Sequence, residues 1–460
     1  MSSKRYSRAI VLFRRDLRLY DHTALRLAVN HAQEIVPVFI IDPRQVGVAN
    51  EYRSMNAIQF MHESLADLQG QLAEQDCRLY VFTGRADEVL AALFAHNQID
   101  AVFTHVDYTP FARERDEQLA QVCSGAGVAW HAEHDTLLTI PGTVMTKTGT
   151  YFQVFTPFWR AASQVTVAQP HALSLIHGYK YVRLMDQYIY DVAQAPALAG
   201  YANHDLAVRG GRTEGLALLK RARRLTEYEV ERDMPAVEYT SQLSAHLKFG
   251  TLSVREVYHA LQGIPSLVRQ LYWRDFYTHI AYHVPRVFGH AYRSEYDRLS
   301  WSRAHKAFER WCAGMTGFPI VDAGMRQLNA TGFMHNRVRM IVGSFLVKDL
   351  WIDWRWGERY FAQQLVDYDP AVNNGNWQWV ASTGCDPQPY FRIFNPWTQQ
   401  QKFDPDAQYI KQWVPELRAV SVENIHRWAQ VAQDYGDLYP APMVDHAQAA
   451  ALAKERFKNA

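Results

Sequence analysis

Little in this chain points to a metal, a membrane or a strongly charged partner. Cysteine is scarce, and its spacing fits neither a CxxC zinc site nor a disulfide scaffold. The four cysteines are Cys77, Cys123, Cys312 and Cys385. A formal net charge of +1 at pH 7 provides no overall attraction for nucleic acid, so only a local basic patch would bind it. No stretch approaches the length of a membrane span, and the N-terminus lacks a signal-peptide pattern. We therefore expect no metal, no membrane partner and a soluble protein of the reducing cytoplasm.

Several catalytic fingerprints are absent as well. The segment after the first predicted strand, "RRDLRLYDHTALRLA", contains no GxGxxG, and no GxxxxGK[ST] occurs anywhere in the chain. These absences argue against a nicotinamide dehydrogenase and against a P-loop enzyme. No nucleophile elbow, HExxH motif or Ser-His-Asp order supports hydrolysis. The residue inventory favours a protein whose reactive chemistry belongs to a bound cofactor.

The pattern of apolar residues changes along the 460-residue chain. In residues 1–135, short apolar runs alternate with amphipathic stretches, which predicts a doubly wound parallel sheet. The predicted strands are 9–13, 35–41, 78–82, 101–105 and 128–132, and the predicted helices lie near 21–31, 53–74, 86–96 and 111–123. Residues 136–200 are irregular and carry turn residues, so we predict a long connector there. Helical periodicity dominates residues 201–460, which predicts an all-α second domain.

Aromatic residues are abundant, at 13% of the chain. Most are expected to fill the core, and some to stack on a flat base or cofactor. Gln270 and Trp273 lie about one helical turn apart in "RQLYWRDFY", although a buried aromatic stripe is an alternative interpretation of this segment. Trp377 and Trp379 are two residues apart in "NNGNWQW", so they are predicted to face different neighbours.

Three polar segments have both a structural and a functional interpretation. Thr240 and Ser241 precede an apolar-periodic run, which is typical of a capped helix N-terminus and also of a phosphate site. The basic segment "MHNRVRM" is either a solvated helix face or a phosphate contact beside a base. Asp367 and Asp369 either flank a helix or bind a metal, although no His or Cys lies near them. The amide of Asn373 is able to donate or accept a hydrogen bond at a heterocycle.

A series of motifs spans nearly the whole chain. In order they are "VLFRRDLRLYDHTAL", "EYTSQLSAHLKFGTLS", "YWRDFY", "TGFPIVDAGMRQLNATGFMHNRVRMIVGSFLVKDL", "DWRWGERYF", "NNGNWQWVASTG" and "PYFRIFNP". Their sequence and order resemble the photolyase/cryptochrome family. Within it, "MHNRVRM" is similar to the class I cyclobutane pyrimidine dimer photolyases, whereas (6-4) photolyases carry histidines there. The resemblance implies an α/β antenna domain, a helical FAD-binding domain and light-driven repair of UV-damaged DNA by a monomer.

The resemblance implies FAD bound in a U shape within the helical domain. Contacts to its phosphates and ribityl chain are expected from Tyr228, Thr240, Ser241, Gln242, Leu243 and Ser244. Asp367 and Asp369, with Tyr368 between them, are expected to line the isoalloxazine ring. Arg339 is expected to pair with Asp367, and Asn373 to face flavin N5.

The resemblance also implies a binding site for a flipped-out dimer and a path for electrons. Trp273 and Trp379 are expected to sandwich the dimer. Further substrate or phosphate contacts are expected from Asn336, Arg337, Met340, Arg392 and Gln399. Trp301, Trp354 and Trp377 match the electron-transfer chain of the family, although their spacing fits no single helix face. The implied reaction passes an electron from photoexcited reduced FAD to the dimer, splits the cyclobutane ring and returns the electron.

Two positions depart from the pattern of the cyclobutane enzymes. Gln270 stands where these enzymes usually have a glutamate and where (6-4) photolyases have a glutamine, and it donates a hydrogen bond at any pH. Phe111 and Ala112 replace the Asn-Glu pair of the folate-binding members. We therefore expect a deazaflavin or flavin antenna rather than a folate, or no antenna.

Three alternatives to cyclobutane repair follow from the same residues. Repair of (6-4) lesions is favoured by Gln270 alone. A cryptochrome-type blue-light receptor is expected to have a signalling tail or a changed residue at Asn373, and the sequence has neither. A dark-acting nucleotide-binding or electron-transfer protein outside the family is disfavoured by the missing fingerprints.

Overall fold

The computed structural model of the chain describes residues 4–173, 176–178, 182–183, 186–190, 192, 202–237, 239–386 and 391–459. A parallel sheet with flanking helices forms the N-terminal part of this structure, and helices alone form the C-terminal part. The predicted fold class is therefore confirmed. Among the described residues, no helix has both the length and the apolar character that crossing a membrane requires.

Five parallel strands form the sheet: β1 (Tyr6–Phe13), β2 (Ala32–Ile41), β3 (Tyr80–Thr83), β4 (Ala101–His105) and β5 (Ala129–Glu133). Their order is β3-β2-β1-β4-β5, the doubly wound arrangement with its switch point between β1 and β4. All five predicted strands are present. β1 and β2 begin earlier than predicted, because their polar first residues also pair: Arg8 lies opposite Glu34 and bonds to it at 2.8 Å.

Helices cover both faces of the sheet. Val11 and Phe13 of β1 pack into one apolar cluster, whereas Ile10 and Leu12 pack into another on the opposite face. This alternation explains why the strands appear in the sequence as unbroken apolar runs. The helices of this part are α1 (Thr23–His31), α2 (Pro43–Val46), α3 (Met55–Ala73), α4 (Ala86–His96) and α5 (Pro110–Gly125). The four predicted helices are all found, and the single-turn α2 is additional.

The second part of the chain is helical. One further helix, α6 (Phe155–Ala162), lies in the predicted connector. The others are α7 (Arg212–Ala222), α8 (Tyr228–Glu231), α9 (Ser244–Phe249), α10 (Val254–Ala260), α11 (Pro265–His283), α12 (His305–Cys312), α13 (Pro319–Thr331), α14 (Asn336–Ser344), α15 (Trp354–Gln364), α16 (Pro370–Ala381), α17 (Pro396–Phe403), α18 (Gln408–Trp413), α19 (Val422–His426), α20 (Trp428–Val431) and α21 (His446–Lys458). Single 3-10 turns span Asp186–Tyr188, Pro285–Val287, Ser294–Arg298, Pro415–Leu417 and Ala432–Tyr435, and a π-helical turn spans Phe345–Asp349.

The connector contains more regular structure than its sequence indicates. Its helix α6 packs against α11, where the rings of Phe158 and Phe276 lie 5.4 Å apart. Turn residues at both ends of the segment conceal this short amphipathic helix. The turn-rich stretch "AQAPALAG" at 193–200 lies outside the described residues.

A buried ion-pair network joins the two parts of the molecule. Arg255 of α10 donates from Nε to Asp21 at 2.9 Å and from Nη2 to Asp135 at 2.7 Å. Asp135 also pairs with Arg18, and both carboxylates are buried. Removing one partner of such a network leaves a buried charge without compensation. Arg255 therefore holds the helical part against the α/β part.

We expect Arg255→Met to lower the free energy of unfolding by about 3 kcal/mol, because two buried carboxylates would lose a shared partner. Urea unfolding followed by circular dichroism measures this loss. Arg427→Met is the matched control, since Arg427 pairs with Glu423 on an exposed helix surface and should change stability by less than about 0.5 kcal/mol. Equal losses in the two variants would contradict the role given to Arg255.

Candidate active site

Helix α16 contains the "NNGNWQW" segment and begins at a capping carboxylate. Asp369 Oδ1 accepts hydrogen bonds from the backbone N–H groups of Ala371 at 3.1 Å and Val372 at 3.2 Å. Pro370 occupies the first helical position, where a missing N–H costs nothing. The other carboxylate oxygen pairs with Arg15, in the loop after β1. Burial alone would raise the pKa of Asp369, but the neighbouring cations, Arg15 first among them, outweigh it and lower this pKa. The residue is therefore an anion that connects the helix to the sheet.

The two tryptophans of α16 face different neighbours, as their spacing predicts. Trp377 is buried, and its ring meets Phe361 edge-on at 4.9 Å. Trp379 is half-buried and lies 6.5 Å from the ring of Phe394, with the Arg392 guanidinium 5.9 Å above it. One side of the helix thus faces the core and another faces a cationic surface.

The amide of Asn373 has a single orientation. Its Nδ2 donates to the backbone oxygen of Glu358 at 3.0 Å. Because a carbonyl oxygen only accepts, the amide nitrogen must point towards it. The bond fixes which end of the amide faces Glu358 and leaves Oδ1 and one Nδ2 hydrogen available to a ligand.

Glu358 lies behind this amide and is a residue that sequence reasoning missed. Its side chain is 4% exposed, and Oε1 accepts a hydrogen bond from Asn374 at 2.9 Å. Burial raises the pKa of Glu358 to about 7, against the opposing effect of the Asn374 bond and of Arg355. One signal was available: Glu358 is four residues after Trp354, on the same face of α15.

The segment Thr240–Ser244 is not a capping motif. Helix α9 begins at Ser244, its N-cap position is Leu243, and no side chain caps it. Gln242 has a φ of 54°, which is uncommon for a residue with a side chain and turns the backbone sharply. Arg221 stabilises this turn by donating to Thr240 O at 3.2 Å and to Gln242 Oε1 at 2.8 Å. The capping interpretation is therefore wrong, and the uncapped N–H groups suit an anionic phosphate.

The other residues expected to contact a flavin have defined partners of their own. Arg339 of α14 donates to both oxygens of Asp367, at 3.4 and 3.2 Å, as the resemblance implies. Tyr368 stacks at 6.3 Å on Tyr52, which comes from the α/β part. Tyr228 is buried at the start of α8, and burial raises the pKa of its hydroxyl. Cation, amide acceptor and uncapped turn together form a donor and acceptor set that fits FAD.

Trp273 lies on α11 with one ring face covered. The ring of Phe155 stacks on it at 3.6 Å with an interplanar angle of 8°. Trp273 itself is half-buried. Gln270, one turn earlier, is also half-buried, and its Nε2 donates to Ser266 O at 3.1 Å. That nitrogen has a second hydrogen available for a ligand.

A surface groove brings together Arg337, Arg392 and Gln399, which the resemblance places at the DNA. Lys402 and Lys454 line it as well, and sequence reasoning missed both. In the part of the chain that the structure describes, the groove lining does not include Asn336 or Met340. These two contact each other at the start of α14, with Nδ2 of Asn336 3.9 Å from Sδ of Met340.

The three tryptophans expected to transfer electrons lie on connected elements. A Cβ at Gly357 of α15 would lie 2.2 Å from Cη2 of Trp377, so α15 and the Trp377 ring are in direct contact. Trp354 is buried at the first position of the same helix. The ring of Trp301 lies 4.8 Å from that of Trp351, three residues before Trp354. Tertiary packing, rather than spacing along one helix, brings this region together.

Within the described ranges, the one cluster with metal-ligand spacing comprises Asp16, His22 and His105. The nitrogen of each histidine that faces Asp16 lies 3.2 Å (His22) and 2.6 Å (His105) from it. The opposite nitrogens accept the N–H groups of Leu25 and Ala24, both at 3.0 Å. Each neutral ring must therefore have its proton on the side of Asp16, where a metal would need a lone pair. We interpret the cluster as a hydrogen-bonded group that fixes α1 against β4. Asp367 and Asp369, the other pair considered as metal ligands, form ion pairs with Arg339 and Arg15 instead.

Because burial raises the pKa of Glu358 above its usual value, its protonated form favours the folded state and its ionised form does not. The resulting stability is complete below about pH 4.5 and is lost as the pH rises through about 7. Glu358→Gln, which has no charge, should therefore raise the melting temperature relative to the parent protein at pH 8.5, and by less at pH 5.5.

Thermal unfolding at the two pH values checks this difference. Glu416→Gln is a control in which the change in stability should have the opposite sign. The bond from Arg326 outweighs burial there and lowers the pKa of Glu416. That variant should lose stability at pH 8.5. A loss of stability at pH 8.5 in Glu358→Gln would show that the ionised carboxylate stabilises the site.

Comparison with known proteins gives one consistent result. Residues 9–174 match the family described as DNA photolyase, and residues 267–459 match the FAD binding domain of DNA photolyase. A deoxyribodipyrimidine photo-lyase of Vibrio cholerae is 39% identical over 98% of this chain and 99% of its own length.

Solved structures are similar over the same extent. An archaeal photolyase of Sulfolobus tokodaii, determined with two FAD molecules, has 44% identity and a TM-score of 0.89 over 98% of this chain and 100% of its own. A cryptochrome of Synechocystis has 28% identity and a TM-score of 0.90 over 99% of this chain and 100% of its own. The chain therefore belongs to the DNA photolyase family.

Proposed function

We propose that this chain is a deoxyribodipyrimidine photo-lyase that binds FAD and splits cyclobutane pyrimidine dimers in DNA under blue light. The observation that carries the proposal is the arrangement of α16. This one helix presents an amide acceptor at Asn373, a buried ring at Trp377 and a half-buried ring beside a cation at Trp379. The similar deoxyribodipyrimidine photo-lyases of Vibrio cholerae and Escherichia coli support the reaction class.

The residues present would hold FAD between the turn at Thr240–Ser244 and the first turns of α16. The uncapped N–H groups of the turn would bind the phosphates. Arg339 would hold the Asp367 carboxylate in place through their ion pair. The Asn373 amide, held at Nδ2 by the backbone oxygen of Glu358, would hydrogen-bond to the ring through Oδ1 or through its second Nδ2 hydrogen. Bound there in reduced form, FAD supplies the light-excited electron that the dimer needs.

The lesion would bind between Trp273 and Trp379. Flipping the dimer out of the duplex costs a few kcal/mol, and the cost is smallest where a lesion has already weakened stacking. Stacking on an aromatic ring contributes roughly 1–3 kcal/mol per base, so two tryptophans offset much of this cost. The groove lined by Arg337, Arg392 and Lys402 would bind the phosphates, which explains how a chain of net charge +1 binds DNA.

Gln270 sets the pH dependence of lesion binding. Its free amide hydrogen donates to a pyrimidine carbonyl without a titration, whereas a glutamate must first be protonated. The contribution of this position to lesion affinity should therefore not change between pH 6 and 9. Repair of (6-4) lesions is the second candidate function, and Gln270 is the observation that favours it.

A second chromophore would bind at the carboxyl edge of the sheet. Phe111, in the first turn of α5, lies 5.1 Å from the guanidinium of Arg44 and 6.0 Å from that of Arg115. A flat ring flanked by two cations suits a flavin with its phosphate better than a folate, which needs a carboxylate partner. The Sulfolobus relative with two FAD molecules supports a flavin antenna.

We further propose that the protein acts in the cytoplasm as a monomer on UV-damaged DNA.

Reduced holoprotein incubated under blue light with an oligonucleotide containing one thymine cyclobutane dimer tests the lesion assignment. Chromatography of the digested product should show restored thymines and, in a parallel sample, an unchanged (6-4) lesion. Unchanged dimers would contradict the proposal, and repair of the (6-4) lesion instead would select the second candidate.

Trp273→Ala should weaken binding to dimer-containing duplex roughly 5- to 150-fold, since one stacking surface is lost. Fluorescence anisotropy in the dark measures the affinity, and the flavin absorbance should be unchanged. Trp356→Ala is the matched control, because the ring of Trp356 contacts His305 and Phe308 of α12. Loss of flavin with intact lesion affinity would contradict the assignment of Trp273.

Trp377→Phe should slow light-driven reduction of the oxidised flavin at least tenfold, because phenylalanine is much harder to oxidise than tryptophan. Repair by chemically reduced protein should persist. Flash absorption in the presence of an external thiol measures the first rate. Trp428→Phe, a change of an equally buried ring on α20, serves as control. Equal photoreduction in Trp377→Phe and the parent protein would exclude Trp377 from the path.

A further inference from the structure

A ring from the connector lies flat on one tryptophan of the lesion site. Phe155, the first residue of α6, is buried and stacks on Trp273 with centroids 3.6 Å apart and planes 8° from parallel. Aromatic pairs prefer offset or edge-to-face arrangements with larger centroid separations, since directly overlapping ring faces repel. An overlapping pair must therefore be held in place by its surroundings.

Neighbours on two sides hold Phe155. Its backbone N–H donates to Asp386 Oδ1 at 3.1 Å, and the N–H of Asp386 donates back to Gln153 O at 2.9 Å. The ring also meets Phe276 of α11 edge-on at 5.8 Å. The two reciprocal bonds fasten the start of α6 to the segment that follows α16.

That segment is itself fixed to the end of α16. The N–H groups of Thr383 and Gly384 both donate to Gln378 O, at 3.0 and 3.1 Å. Gln378 is the residue before Trp379, and it is buried. Residues 153–155 are consequently joined to α11 by a ring stack and, through two hydrogen bonds with Asp386, to the segment that is bonded to the end of α16. Both tryptophan-bearing helices meet at this short piece of connector.

We propose that Phe155 is a positioning residue for lesion recognition: it fixes the plane of the Trp273 ring relative to the helix that bears Trp379. This inference rests on the proposed function, since it concerns the recognition of a dimer between the two tryptophans. Tyr277 and Phe276 also contact the Trp273 ring, at 5.6 and 5.8 Å, but they belong to the same helix and do not relate it to α16. A half-buried ring that is able to tilt pays an ordering cost when a flat ligand stacks on it. A rigid second ring behind it removes most of that freedom before the ligand arrives.

Phe155→Leu keeps an apolar side chain of similar size and removes the flat surface. We expect it to weaken binding of holoprotein to a duplex with one cyclobutane dimer by roughly 2- to 10-fold, the effect of losing one aromatic pair. Affinity for the same undamaged duplex and the flavin absorbance should be unchanged. Phe155→Tyr keeps the ring, so this variant should retain the preference of the parent protein for the dimer-containing duplex over the undamaged one. Phe152→Leu is the matched control, because Phe152 belongs to the same segment and meets Phe158 edge-on.

A double-mutant cycle separates positioning from general loosening of the fold. If Phe155 acts through Trp273, Phe155→Leu should have no further effect on dimer affinity in a Trp273→Ala background. Equal effects in both backgrounds would overturn the inference. A second variant, Asp386→Ala, releases the same ring without changing it and should reduce dimer affinity in the same direction, so no change in that variant would also overturn it.

The outcomes also distinguish this inference from the function on which it rests. Parent protein that binds damaged and undamaged duplexes equally would overturn the proposed function and the positioning role together. Parent protein that prefers the dimer, with Phe155→Leu showing the same preference, would overturn the positioning role alone.

Discussion

The carboxylate of Asp369 connects the fold to the site. One of its oxygens caps the first turn of α16, and the other pairs with Arg15 behind β1. Both partners are largely buried, so neither tolerates the loss of the other. The direction of α16, and with it the placement of Asn373, Trp377 and Trp379, depends on contact with the α/β domain. The α/β part and the helical part are thus joined by an ion pair at the site itself, in addition to the network at Arg255.

The pattern of residues along the chain was sufficient to predict the strands, the start of α16 and the orientations of its two tryptophans. The five strands are apolar runs because the sheet is covered on both faces. Their predicted bounds differ from the structure where β1 and β2 begin earlier, with residues such as Arg8, and where β3 and β5 are displaced by one or two residues. The start of α16 follows from Asp369 and Pro370. The opposite orientations of Trp377 and Trp379 follow from helical periodicity. The expectation that the protein binds a flavin came from the family motifs, because composition alone does not identify a flavin.

Tertiary packing determined the rest. Nothing in the sequence relates Trp301 to α15, because their proximity comes from packing against Trp351. Thr240 and Ser241 have the composition of a helix cap, yet the helix begins after a left-handed residue. The buried position of Glu358 and the single orientation of Asn373 are visible only once α15 and α16 are in contact. These are the places where local propensity yields to the requirements of a binding site.

The central claim is that light, acting through a bound flavin, drives repair by this chain. An action spectrum tests it most directly: dimers removed per incident photon by the reduced holoprotein, measured across the near-ultraviolet and blue, with a dark sample alongside. Repair is expected only under illumination, with a wavelength dependence that follows the absorption of the bound chromophores. Dimer loss in the dark, or no loss at any wavelength that the protein absorbs, would contradict it.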